Sequence, residues 1–135
     1  MAHWLLKSEP DAWSWDEQVK KGKGGAEWTG VRNFAARNHM RQMKKGDTGF
    51  FYHTGDEKAV VGIVEVVKEV HPDSTDEEWE CVDVAAVKPL KQPVTLQQIK
   101  ADKRLKDMAL VRLSRLSVQP VTDAEWAIVT KLGGI

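Results

Sequence analysis

Apolar positions along this chain follow two rhythms, and the switches between them mark out the elements. His3-Trp4-Leu5-Leu6-Lys7 is a compact apolar run that reads as a first strand, closed by the turn-rich Ser8-Glu9-Pro10-Asp11. Ser14-Trp15-Asp16-Glu17 is a capping-box pattern and predicts a short helix through Lys21. Gly22, Gly24 and Gly25, with Lys23 among them, make a flexible loop leading to Trp28. From Asn33 to about Lys45 the period is helical, with Phe34, Ala35, Met40 and Met43 on an apolar flank and Arg37, Arg41, Lys44 and Lys45 on a cationic one. Gly46-Asp47 stops that helix.

A two-residue rhythm then takes over. Strands are predicted at 48–53 and 59–69, joined by the turn Thr54-Gly55-Asp56-Glu57-Lys58, which makes a hairpin. Gly62 inside the second strand marks a bulge or a close backbone approach. Residues 71–78 are acidic and read as a loop, after which residues 81–86 alternate as another strand ended by Pro89. Thr95-Leu-Gln-Gln98 opens a short helix, a helical turn is expected over 102–108, and Leu113 to Val118 reads as a late strand. Thr122-Asp-Ala-Glu125 is a further capping box, leading a last helix with Trp126, Val129 and Leu132 on one side and Gly133 as its stop. About four to six strands with helices between them predict an α+β protein, a mixed sheet curled into a small barrel, in a single domain over 1–135.

Composition narrows the class. At 135 residues with 30% charged positions the chain reads as globular, and no apolar run approaches the roughly 20 residues of a membrane span. No long apolar leader opens the chain, and its one cysteine, Cys81, has no internal disulfide partner, so a cytoplasmic setting is expected. Twenty basic residues against twenty acidic ones argue against coating nucleic acid by bulk charge. Their distribution is uneven, however. Residues 20–45 hold eight Lys/Arg and one Glu, whereas 56–83 hold ten Asp/Glu and two Lys. This pattern fits either solvated helix faces or a polarised surface whose basic rim meets phosphates.

Candidate chemistry centres on Trp28-Thr29-Gly30-Val31-Arg32-Asn33. A ring, a cation and an amide within six residues suit a flat polar ligand better than a core. Trp28 sits outside any apolar periodicity and is read as a wall of a binding pocket. Asn33 either reads a base or caps the helix after it; Arg32 either meets phosphate or pairs with an acidic neighbour. Trp4 and Trp126 are assigned to the core, and Trp13 and Trp15 to packing of the first helix. The four histidines are scattered and, with Cys81, give no metal-ligand spacing, so no metal and no cofactor are expected. The Gly-rich loop lacks P-loop spacing, and Lys7-Ser8 cannot act as a Ser-Lys nucleophile because adjacent strand residues point to opposite faces. An enzymatic role is therefore disfavoured.

Four collinear motifs carry a resemblance. Trp4-Leu-Leu-Lys-Ser-Glu-Pro10, Trp28-x-Gly-Val-Arg-Asn33, Phe51-Tyr-His-Thr54 and Arg115-Leu-Ser-Val-x-Pro120 together resemble the EVE domain family, over nearly the whole chain. The chain is similar to the stand-alone bacterial members and lacks a basic nuclear-targeting tail. The resemblance implies a PUA-like curled mixed β-barrel of about five or six strands with peripheral helices, and kinship with YTH domains, which hold methylated adenine in an aromatic cage. It implies a non-catalytic module that captures a modified base in an aromatic pocket, a modified cytosine in DNA or else a modified RNA base. An enzyme or accessory factor acting on a nucleotide or small aromatic metabolite is the alternative, and a Trp-rich groove for a peptide a third reading. By motif, Trp28, Lys7, Ser8 and Asn33 become base-binding residues, with Tyr52 and Trp79 as candidates for the second cage wall. Arg32, Arg37, Arg41 and Arg115 become phosphate-binding. The partner expected is nucleic acid with a modified base, bound by a monomer, without membrane or metal.

Overall fold

A computed structural model describes residues 2–135. The strands are β1 (His3–Ser8), β2 (Ala26–Glu27), β3 (Thr48–His53), β4 (Ala59–Asp73), β5 (Asp76–Thr95) and β6 (Val118–Val121). The helices are α1 (Trp15–Lys20), α2 (Phe34–Gln42), α3 (Leu96–Ala101), α4 (Ala109–Arg112) and α5 (Asp123–Leu132). All six strands join one sheet in the order β2-β5-β4-β3-β1-β6; β1 and β3 are parallel and the other pairs antiparallel. The sheet is mixed, as expected, but it is not closed: β2 and β6 form its two edges.

Strands β1 and β3 are buried on both faces, which is why their sequences read as solid apolar runs. Trp4 and Leu6 point with Phe51 into one core, against α1 and α2, while Leu5, Phe50 and Tyr52 point into a second core with Ile99, Leu105 and Val129. The capping boxes predicted at Ser14/Glu17, Thr95/Gln98 and Thr122/Glu125 are all formed. Asp47, nearly buried, accepts from Trp4 Nε1 (3.1 Å) and from the Lys44 amide (2.9 Å), pinning the α2–β3 corner to the first strand.

Gly62 fulfils both parts of its expectation. The β3–β4 and β4–β5 registers shift beside it, and a Cβ added there would meet the Trp15 ring at 2.5 Å. Three elements differ from expectation. The acidic stretch 71–78 is not a loop but the projecting end of the β4–β5 hairpin, where only 74–75 lie outside the strands and the pairing is irregular between Pro72 and Asp73. Strand β5 does not stop at Pro89, because the register irregularities around Gly62 and Pro89 absorb the missing donor and pairing resumes to Thr95. The late strand covers 118–121, whereas 113–117 form turns that bury Leu116 without strand pairing. Of the predicted α2 stripe, Met40 and the flanking Met43 are buried but Phe34 and Ala35 are exposed; Ala36 takes the buried place instead.

Candidate functional site

A cleft of about 770 Å³ opens where the end of β1, the loop before α1, β2 and the 28–30 turn meet. Its lining includes Lys7, Ser8, Trp13, Lys21, Glu27, Trp28, Thr29, Gly30 and Asp83. That volume falls in the usual range for small-ligand sites. Three of the motif residues, Lys7, Ser8 and Trp28, thus converge on one hollow from segments far apart in the chain.

Trp28 was expected outside the core, and in this the structure corrects the sequence reading. Its ring is only 6% exposed and packs edge-to-face on Phe51, with centroids 5.3 Å apart at 88°. The same residue nevertheless lines the cleft, so it serves as a wall between core and hollow. Its amide donates to the Val82 carbonyl at 2.8 Å, fixing the wall to β5. The turn after it is held by Asp73, whose carboxylate is fully buried and accepts from the Gly30 amide (3.0 Å), Arg32 Nη1 (3.2 Å) and Thr75. Burial alone would push the Asp73 carboxyl up; the hydrogen bonds from Thr75, Gly30 and Arg32 outweigh it and bring it down to about 2. Gly30 sits at φ +84°, the left-handed region that favours glycine.

Ser8 Oγ donates to the Trp13 carbonyl, which tethers the Trp13 loop to the end of β1. Lys7 Nζ donates to the Ser114 carbonyl at 2.8 Å, and partial burial lowers its pKa. Trp13 is half-buried, with Nε1 donating to Gln18 Oε1 at 2.9 Å. It packs against the first core, as the sequence reading assigns it, and it also lines the cleft with Trp28. Glu27 and Asp83 were also missed. They face one another as register partners of β2 and β5, a pairing visible only once the two-residue strand is placed.

The other predicted residues lie elsewhere. Tyr52 is 3% exposed in the second core, because strand alternation turns it away from Phe51 and hence from Trp28. It is withdrawn as a cage wall. Trp79 does not line the cleft either: it stacks on Phe34 at 5.1 Å, with the Arg32 and Arg37 guanidiniums 5.7 and 6.0 Å from its centroid. Asn33 caps α2, accepting from the Ala36 amide at 2.9 Å, and lines a separate hollow with Arg115. Arg32 is engaged by Asp73 and Thr75, and Arg41 by Glu80 at 2.5 Å. Arg37 lies 4.8 Å from the Phe34 centroid, with its Nε buried and unpartnered among the described residues.

His71 and Cys81, which show no metal-ligand spacing in the sequence, have ligand atoms within 4.8 Å of one another and of Glu27. No helix among the described residues is long and apolar enough to cross a membrane.

The family model described as EVE domain matches residues 2–132. Thymocyte nuclear protein 1 of Homo sapiens is 33% identical over 97% of this chain and 73% of its own length; the Gallus gallus protein is 37% identical over 96% and 68%. Among solved structures, a protein from Agrobacterium tumefaciens superposes with a TM-score of 0.97 at 54% identity, covering 100% of this chain and 94% of that one. The human THYN1 protein in complex with 5-methylcytosine-containing DNA gives 0.92 at 31% identity, covering 100% and 99%. A YTH domain of Zygosaccharomyces rouxii in complex with N6-methyladenosine RNA gives 0.61 at 17% identity, over 98% and 86%, a likeness of fold alone.

Proposed function

Because the chain belongs to the EVE domain family, we propose that it is a non-catalytic module that captures a modified base of nucleic acid, a modified cytosine in DNA above all, in the cleft beside Trp28. The observation that carries this reading is the convergence of Lys7, Ser8, Trp13 and Trp28 on one hollow with ample room for a base. The relative bound to 5-methylcytosine DNA supports the ligand class.

The cleft chemistry favours a base with an exocyclic amine. Glu27 and Asp83 are acceptors, and carboxylates pair with the amino group of cytosine where they would repel the O4 of thymine. Lys7 and Lys21 sit on the same cleft and supply positive charge toward flanking phosphates. A duplex base must be flipped into such a cleft at a cost of a few kcal/mol, while each aromatic contact returns roughly 1–3 kcal/mol. One buried methyl contributes only about 0.8 kcal/mol, so discrimination of methylated from plain cytosine is several-fold.

Titration of intrinsic Trp fluorescence with oligonucleotides carrying 5-methylcytosine, cytosine or thymine at one position tests this. The expected order of affinity is methylcytosine, cytosine, thymine, with Trp13→Ala losing about tenfold or more and remaining folded. Equal affinity for all three oligonucleotides, or unchanged affinity in Trp13→Ala, refutes the assignment of the cleft.

A further inference from the structure

The cluster of His71, Cys81, Glu27 and Asp83 arises from two cross-strand pairs. His71 on β4 is the register partner of Cys81 on β5, and Glu27 on β2 is the partner of Asp83 on β5. Cys81 and Asp83 are two residues apart on one strand and so share a face, which places the four side chains on one face of β2, β5 and β4, toward the edge of the sheet that β2 forms. Cys81 Sγ lies 3.5 Å from Glu27 Oε1 and 3.7 Å from His71 Nε2, and His71 Nε2 lies 2.6 Å from Asp83 Oδ1.

A tetrahedral zinc ion with Zn–S near 2.3 Å and Zn–N or Zn–O near 2.0–2.1 Å sets the edges between its ligand atoms at roughly 3.3–3.6 Å. The Cys81–Glu27 edge has that length and the Cys81–His71 edge is close to it, whereas the short His71–Asp83 edge must open. The imidazole is also set for ligation. Its Nδ1 is 3.0 Å from the Pro72 carbonyl, which can only accept, so the proton belongs on Nδ1 and Nε2 is presented to the cluster. Glu27 and Asp83 stand directly opposite on paired strands; His71 partners Asp83 and the Ser74 amide donates to Glu27, and a cation between the two would relieve their like charges further.

We propose that Cys81, His71 and Glu27, joined by Asp83, form a binding site for a borderline-soft divalent cation of the zinc type. A thiolate and an imidazole with carboxylate select such an ion over magnesium or calcium, which take oxygen ligands. The ion replaces two protons, those on the Cys81 thiol and between His71 and Asp83, and leaves oxidation states unchanged. It crosslinks β2, β4 and β5. Glu27 and Asp83 also line the cleft proposed to hold a base, so ion and base share these carboxylates, while cobalt absorption and oligonucleotide titration report the two separately.

Cobalt(II) titration of the untagged, metal-stripped protein tests it. One equivalent is expected to produce the visible bands of four-coordinate cobalt and a near-ultraviolet thiolate-to-cobalt band, both bleached by zinc. Cys81 is the sole cysteine of the chain, so a thiolate band can arise only there, whether or not a Cys81→Ser variant folds. His71→Gln, with folding checked by circular dichroism, should weaken the metal at least about tenfold. A folded wild-type protein that gives only the weak spectrum of octahedral cobalt, or binds no cobalt at one equivalent, overturns the site. So does undiminished affinity in folded His71→Gln; the cluster is then a proton-bridged ion pair of His71 and Asp83.

Discussion

Replacing Asp73 with Asn probes the anchor on which the cleft depends. Asp73 presents its carboxylate to three groups that donate: the Gly30 amide, the Arg32 guanidinium, and the amide and hydroxyl of Thr75. An Asn side chain keeps one acceptor oxygen but turns an NH₂ toward donors, so at least one buried N–H loses its partner. The carboxyl is held at about 2, down from 3.8, which corresponds to about 2 kcal/mol of stabilisation by the ionised form. Urea unfolding at pH 7 should therefore show Asp73→Asn less stable by about 2–3 kcal/mol. A depressed folded pKa gives stability that is complete above the unfolded value and lost as pH falls through the folded one. The gap between wild type and variant should thus be level from pH 7 to about 5, lose roughly half of its ionic part by pH 3, and lose nearly all of that part by pH 2. A gap under about 0.5 kcal/mol at pH 7, or one that keeps its full size to pH 2, refutes the reasoning. Such a result would mean that the carboxylate is solvated and leaves Gly30 and Arg32 to water.

Gly62→Ala should destabilise the fold by about 1–3 kcal/mol in the same urea assay, because the new methyl meets the Trp15 ring at 2.5 Å and two registers converge there. Tyr52→Phe should leave oligonucleotide affinity within twofold of wild type by fluorescence titration, since the residue faces the second core. Arg41→Ala should change stability by less than about 1 kcal/mol, its pair with Glu80 being largely exposed. If the α2 cations meet phosphate, the same variant should weaken binding to every oligonucleotide alike and reduce the salt slope by about 1.

What could be read from the sequence was what is decided locally. Each capping box needs only four residues, so Ser14, Thr95 and Thr122 announced their helices without tertiary help. The runs Trp4-Leu5-Leu6 and Phe50-Phe51-Tyr52 announced strands, but a solid apolar run does not say which face each residue takes. That is why Tyr52 and Trp28 were assigned to one pocket when the sheet separates them. The hairpin end at 71–78 was misread because it projects with most of its residues exposed, leaving no apolar alternation to recognise. In the site, the motif residues at the end of β1 and in the Trp28 turn were legible; the place of Trp13 on the cleft was hidden behind its packing role. Glu27, Asp83, His71 and Cys81 depended on cross-strand register, which no local pattern encodes.

The double duty of Trp28 has an implication for how such a site can change over time. An indole that is at once a brick of the interior and the lining of a hollow ties recognition to the integrity of the whole scaffold. New preferences are then most readily acquired at its neighbours, Trp13 and the carboxylates, which can be exchanged without loosening the interior. A visitor seated against that indole should in turn tighten the protein far beyond the point of contact.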